Sequence, residues 1–465
     1  MPNDRHAISA AIPTWTQLIA FGNGELIIPG GYPRFVYHRD YEALCDRFRL
    51  GGDITRLFPS EKAAKACLKF LDGEGRIAEA PHGLYSITLA GATAEWLSDG
   101  VKLFWQHTGL VISSRRAYDI LNEKPAPDAA AAKLEIKARI ASLAGVNAGD
   151  VYLFPSGMAA MLSAHALVTA RKPKTPTVQF GFPYLDTLKL QLKFGAGVEE
   201  FLYNSPADLA GVDQCLANNE VAAVFCEAPG NPLLRTIDFL ALKETLVQYD
   251  IPLIVDDTIG TWENIDLRPY ADVTITSLSK FFSGEGNVLA GALVLNLDSK
   301  YHAEFSQRLL ESYEDNFYSG DAIELEKNSR DFSKRIKIVN ANALGVVEFL
   351  RCHPAVKTIY YPGEVNREEY QAIKKPFGGF GGLFTVELKC PNLAPNVYDA
   401  LEFCKGPGLG TNFTLISPYT MLTHFKELER IEKYGVFSHQ LRASIGIESK
   451  EVIIGRFDRA LKLAA

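Results

Sequence analysis

VTITSLSKFFSGEGN, residues 273–287, sets a β-branched apolar run against a lysine and a glycine-rich exit. Val273 to Thr276 have the branching that suits a pleated strand, and Ser277, Ser279, Gly284 and Gly286 then break it. Lys280 therefore stands at a strand's carboxyl end, the edge where open α/β sheets bind ligands. An ordinary lysine is a solvated surface charge. One led in by an apolar strand and flanked by hydroxyls loses hydration, so its pKa falls and its amine can condense with a carbonyl compound.

Working outward, short apolar runs recur at VYLF 151, TVQF 177, VAAVFCEA 221, PLIVDD 252 and VLAGALVLN 288. Helical patterns separate them, one through Leu134, Ile136, Ile140 and Leu143, another from Asp238 to Tyr249. The alternation predicts an α/β domain with a mostly parallel sheet covered by helices. Beyond a charged helical stretch near 320–340 the pattern turns mixed: a helix around 341–352, strands at 383–389, 411–416 and 441–447, and a last helix at 450–463. Before about 110, Gly and Pro clusters such as PGGYP at 29–33 separate short segments. The expected division is an N-terminal arm or cap over 1–110, an α/β domain over 111–325 and a smaller α+β domain over 326–465.

The chain has 465 residues, 47% of them hydrophobic, with 55 acidic against 48 basic side chains and a formal charge of −7. This balance excludes a basic field for nucleic acid or an anionic membrane and points to a small-molecule partner. Seven scattered cysteines make no C-x-x-C pair and no histidines gather at metal spacing. Reduced thiols, no metal and a cytoplasmic location are expected. The opening MPNDRHAISAAIPTW lacks the basic region and apolar run of a signal peptide, and no stretch reaches the length of a membrane span.

Two further segments could serve a ligand at the edge where Lys280 stands. VYLFPSGMAAM, 151–161, is a strand, a turn and a helix start, and helix N-termini present unpaired N–H groups that suit a phosphate. Gly157 would allow close backbone approach, while Ser156 either caps the helix or bonds the phosphate. Asp256 ends IPLIVDD at the same sheet edge. A carboxylate there would keep the ring nitrogen of a pyridine aldehyde protonated; the other readings of Asp256-Asp257 are a capping or a metal-binding pair, the latter weakened by the absence of nearby histidines. Phosphate turn, ring carboxylate and Schiff-base lysine together predict a pyridoxal 5'-phosphate (PLP) site. A nicotinamide site is excluded because no G-x-G-x-x-G joins an early strand to a helix.

SGMAAM at 156–161, CEAPGNPLLRTIDF at 226–239, VDDT at 255–258, SLSKFFSG at 277–284 and RASIGIE at 442–448 resemble the motifs of the cystathionine γ-synthase family of PLP-dependent transsulfuration enzymes. HAISAAIPTW and GYPRF resemble the opening of its fungal branch. The resemblance implies the aspartate-aminotransferase-like fold type I and a homotetramer with shared active sites. It makes Lys280 the cofactor-bearing lysine and proton shuttle, with Asp256 on the ring nitrogen. Ser156, Gly157, Met158, Ser277 and Ser279 would hold the phosphate. Arg442 would grip the substrate α-carboxylate, with Asn231 and Thr411 beside cofactor and substrate, and Arg115 or Arg116 would reach the neighbouring subunit's phosphate.

Three departures from the family pattern stand out. Phe180 occupies the cofactor-stacking tyrosine's place, with Tyr184 expected to replace the hydroxyl. A serine, Ser113 or Ser114, stands for the tyrosine that precedes the phosphate-binding arginine. Pro407 and Gly408 stand for an acid and a hydroxyl that in several relatives help bind the far amino group of cysteine or cystathionine. The expected reaction is γ-replacement on an O-acyl-L-homoserine, with acetyl as the acyl group and a thiol, carbon or nitrogen nucleophile as co-substrate. A β- or γ-lyase, or a non-catalytic protein keeping this fold for binding or assembly, are the alternatives.

Overall fold

The computed structural model describes residues 4–26, 28, 31–49, 53–91, 93–218 and 220–465. Pro29 and Gly30 of the PGGYP cluster lie outside the described residues.

Helices Trp15–Gly22 and Arg39–Arg47 precede a set of short strands. β1 (Ile54–Phe58), β2 (Arg76–Ala80) and β3 (Leu84–Leu89) form a sheet in the order β1-β3-β2. β3 is antiparallel to both neighbours, so β1 and β2 run the same way and the helix Glu61–Phe70 joins them as a split β-α-β unit. Phe58, Cys67, Ile87, Val101 and Phe104 gather in an apolar cluster within the segment expected to be an arm or cap. The pattern was hidden because β2, RIAEA, buries fully only its last residue.

β4 (Val151–Phe154), β5 (Thr177–Phe180), β6 (Val198–Phe201), β7 (Val224–Glu227), β8 (Leu253–Asp256), β9 (Val273–Thr276) and β10 (Gly291–Leu295) build the central sheet in the order β4-β10-β9-β8-β7-β5-β6. From β9 to β6 all pairings are parallel; β10 runs antiparallel to β4 and β9. Val178, Val224 and Val255 pack one face with Leu242 and Leu246, and Phe225, Ile254 and Ile275 pack the other with Ala160 and Ala164. Both faces are covered, which is why these strands read as unbroken apolar runs.

The last third packs β11 (Val356–Tyr360), β12 (Leu383–Leu388), β13 (Cys404–Lys405), β14 (Leu415–Ser417) and β15 (Leu441–Ser444) in the order β11-β12-β15-β14-β13 under the helix Lys450–Leu461. Its leading helix starts at Phe332, not near 341. The early turns carry Arg335, buried because its guanidinium donates to the carbonyls of Phe281 (3.0 Å) and Phe282 (2.8 Å). A charged residue inside a helix thus fastens the loop after Lys280 to the C-terminal region. Among the described residues no helix is long and apolar enough to cross a membrane.

Candidate active site

Lys280 follows β9 by one turn, Asp256 ends β8 and Glu227 ends β7, so three adjacent parallel strands deliver them to one edge. A pocket opens there, bordered by Lys280, Asp256, Glu227, Ser277, Gly157 and Met158 from the central sheet and by Arg442 and Tyr419 from the C-terminal region. Burial lowers the Lys280 pKa, and Arg34 and Arg442 push the same way against Tyr32, whose ring centroid lies 4.3 Å from Nζ. The amine is thereby biased toward its nucleophilic neutral form. Gly410 is what lets the chain pass so close. At φ +73° its backbone runs where a Cβ would stand 2.5 Å from the Phe281 nitrogen and 3.0 Å from the Lys280 Cβ.

Gly157 and Met158 open the 15-residue helix Gly157–Arg171, presenting its N-terminus to the pocket. A Cβ on Gly157 would come within 2.9 Å of the Ser277 Cβ, so glycine keeps this cradle open. Ser156 and Ser279 are not among its lining residues; Ser156 takes the capping alternative, and Ser279 reaches the pocket through the Tyr32 hydroxyl it bonds. Ser156 Oγ accepts from the Ala159 nitrogen (3.1 Å) and donates to the Gly109 carbonyl (2.9 Å), which makes it the helix cap. Ser279 Oγ exchanges bonds with the Ala290 nitrogen (2.9 Å) and carbonyl (3.2 Å), tying β9's end to β10. Ser277 alone of the serines lines the pocket. Helix N-terminus, Ser277, low-pKa lysine and strand-end carboxyl together fit PLP, whose phosphate the first two would hold and whose ring nitrogen Asp256 would pair with.

Asp256 accepts from the Thr258 nitrogen (2.9 Å), yet burial still raises its pKa. Asp257 points away, hydrogen-bonded by Thr276, and burial pushes its carboxyl to about 8. Arg442, 1% exposed, donates from Nη1 to Asn231 Oδ1 (3.0 Å) and from Nη2 to the carbonyls of Pro407 (3.1 Å) and Gly408 (2.9 Å). Among the described residues its Nε has no partner, and burial lowers its pKa to about 10. A buried guanidinium with an unused donor is a ready receptor for a carboxylate.

Three other expectations change. Phe180 lies in β5 facing the core of Val178, Val224 and Cys226, because side chains alternate along a strand and this one points to the covered face. Tyr184, at the start of the next helix, borders the pocket instead. Its hydroxyl accepts from Arg34 Nη2 (2.6 Å) and donates to Asp186 Oδ2 (3.0 Å), and burial drives its pKa well up, so it offers a fixed ring, not a mobile proton. Thr411 is buried, its hydroxyl spent on the Phe413 carbonyl (2.7 Å). Arg115 pairs with Asp321, and Arg116 donates to the His82 carbonyl (3.3 Å); the reach expected of them is to a neighbouring subunit's phosphate, not to this pocket.

Sequence reasoning missed Tyr32, Arg34, Glu227 and Tyr419. GYPRF carried only resemblance, since an irregular segment has no period that shows where it docks. Arg34 and Asp186 make an ion pair at 2.9 Å with side chains 4% and 2% exposed. Burial would raise Asp186, but Arg34 and His107 override it and hold the carboxyl at about 2. Its stabilisation is therefore present above the unfolded carboxylate range and lost as pH falls through about 2. Asp186→Ala, which strands the Arg34 charge, should cost about 3–5 kcal/mol in urea unfolding and release Tyr184.

A phosphate cradle, a strand-end lysine and an opposed carboxyl on a mostly parallel sheet define a PLP enzyme of fold type I. The family described as Cys/Met metabolism PLP-dependent enzyme matches residues 130–462. This chain belongs to that family, on its cystathionine γ-synthase-like side. It is 44% identical over 330 residues to cystathionine gamma-synthase of Neurospora crassa, covering 69% of this chain and 53% of that protein. The chain thus spans about half that relative's length. It is 32% identical to the cystathionine gamma-synthase-like enzyme iboG2 of Amanita muscaria, covering 100% of this chain and 95% of that one. Cystathionine gamma-synthase of Xanthomonas oryzae, solved with aminoacrylate and cysteine, shares the fold at a TM-score of 0.63 and 24% identity, covering 72% and 86% of the two chains.

Proposed function

We propose that this enzyme performs γ-replacement on an O-acyl-L-homoserine, O-acetyl-L-homoserine first, with a co-substrate that carries no ammonium group. The observation that carries the second half is the wall made by Pro407 and Leu409. Both line the pocket, and the backbone carbonyls of Pro407 and Gly408 are turned to Arg442. Among the described pocket residues the acids are Glu227 and Asp256, both at strand ends on the cofactor side. No acid waits for an incoming amine. Sulfide or a stabilised carbon nucleophile such as a β-keto acid fits that wall.

Bound PLP supplies an electron sink for charge developing at carbons beside the substrate nitrogen. Arg442 holds the α-carboxylate through its unused Nε, while Asn231 fixes its fork. Lys280 is the base: its low-pKa amine borders the pocket and serves the α and then the β proton. Tyr32, its ring centroid 4.3 Å from that amine, shields it from water.

Mass spectrometry of products from O-acetyl-L-homoserine alone, then with cysteine, sulfide or a β-keto acid, tests this. Replacement product is expected with sulfide or the keto acid at least about tenfold faster than with cysteine, the ratio one lost charged hydrogen bond of about 1.5 kcal/mol predicts. Only 2-oxobutanoate and ammonia under every condition would establish a lyase.

A further inference from the structure

Glu227 and Asp256 are register partners on adjacent parallel strands, so their side chains leave the same face of the sheet at its carboxyl edge. Glu227 is 8% exposed. Among the described residues neither takes part in an ion pair, although the pocket holds Lys280, Arg34 and Arg442. Two carboxyls at one sheet edge, Glu227 buried and Asp256 half-buried, with no cation paired to either, disfavour double ionisation. Glu227 also accepts from the backbone nitrogen of Tyr184 and takes a backbone hydrogen bond at Asn231. It thereby touches the ring wall and the residue that fixes Arg442.

We propose that Glu227 works as a neutral acid and is a positioning residue that fixes Tyr184 and Asn231 while leaving Asp256 the one anion for the cofactor ring. This rests on the PLP reading above. Burial first and the Asp256 charge second hold Glu227 well above the carboxylate range, consistent with a neutral acid. An ionised Glu227 would add a second negative charge next to Asp256, make Asp256 harder to ionise, and so weaken its hold on a protonated ring nitrogen. A protonated one accepts the two backbone bonds without adding that charge.

The test compares PLP binding to wild type, Glu227→Gln and Glu227→Ala by absorbance titration of apoprotein. The amide keeps neutrality, shape and a donor. Glu227→Gln should bind PLP within about threefold of wild type with the same visible band, while Glu227→Ala binds at least about tenfold more weakly, one lost buried hydrogen bond of about 1.4 kcal/mol. Equal damage in both variants, or none in either, overturns the proposal. Infrared spectroscopy keeps it testable if Glu227→Ala does not fold. Wild-type holoprotein should show a protonated-carboxyl carbonyl stretch that disappears in Glu227→Gln, and an unchanged spectrum overturns it. Wild-type protein that binds no PLP would instead sink the cofactor reading itself.

Discussion

Lys280→Ala should leave the purified protein colourless after PLP is added and lower turnover of an O-acyl-L-homoserine by at least about 10³-fold, since one positioned base contributes about 10²–10⁴-fold and the covalent anchor goes with it. Lys280→Arg is the sharper variant. It keeps the positive charge near Tyr32 but cannot lose its proton, so it too should be colourless and inactive. Retained colour in either variant would mean that another amine carries the cofactor. The setting makes this more than a matter of charge. Lys280 shares the pocket with two guanidinia, and burial already works against its protonation. Removing it should therefore barely affect, or slightly raise, the unfolding midpoint of the apoprotein, while abolishing colour. Stability and cofactor retention move apart, which separates loss of chemistry from loss of fold.

Lys280 and Asp256 were legible in the sequence for a common reason: each interrupts an apolar run that both sheet faces bury, and a charge at such a place asks for a purpose. Glu227 interrupts VFCE in the same way and went unread because no role was sought beyond the ring carboxylate. Arg442 and Asn231 came only through resemblance, since 211 positions separate two side chains that meet at 3.0 Å. The hydroxyls were the least legible. Ser156 and Ser279 have the composition of ligands, but backbone groups at Gly109 and Ala290 claim them, and no local pattern distinguishes a spent hydroxyl from a free one. Tyr32 and Arg34 belong to a segment whose docking depends on Asp186, far along the chain. The split β-α-β unit was hidden by half-exposed strands, whereas the central sheet, buried on both faces, was plain.

Arg442→Lys should raise KM for the amino-acid substrate by about 30-fold to 5 × 10³-fold, the range expected when one partner of a buried charged hydrogen-bonded pair is removed at about 2–5 kcal/mol. A point charge on a flexible stem does not replace a planar fork in this position. The guanidinium must donate at once to Asn231 Oδ1 and to the carbonyls of Pro407 and Gly408 while keeping Nε for the ligand. It also lies 4.4 Å from the Tyr419 ring centroid, a cation–π contact that a buried arginine maintains along its whole plane. An ammonium would satisfy some of these acceptors and leave the others unpaired in a dry site, at about 1–3 kcal/mol each. PLP affinity should change little, because Arg442 bonds Asn231, Pro407 and Gly408 and none of the phosphate cradle, and this gives the control. Steady-state kinetics together with a PLP titration decide the matter. A large KM rise with unaltered PLP binding assigns Arg442 to the substrate carboxylate; an unchanged KM would move carboxylate recognition to Arg34, the other buried guanidinium bordering the pocket.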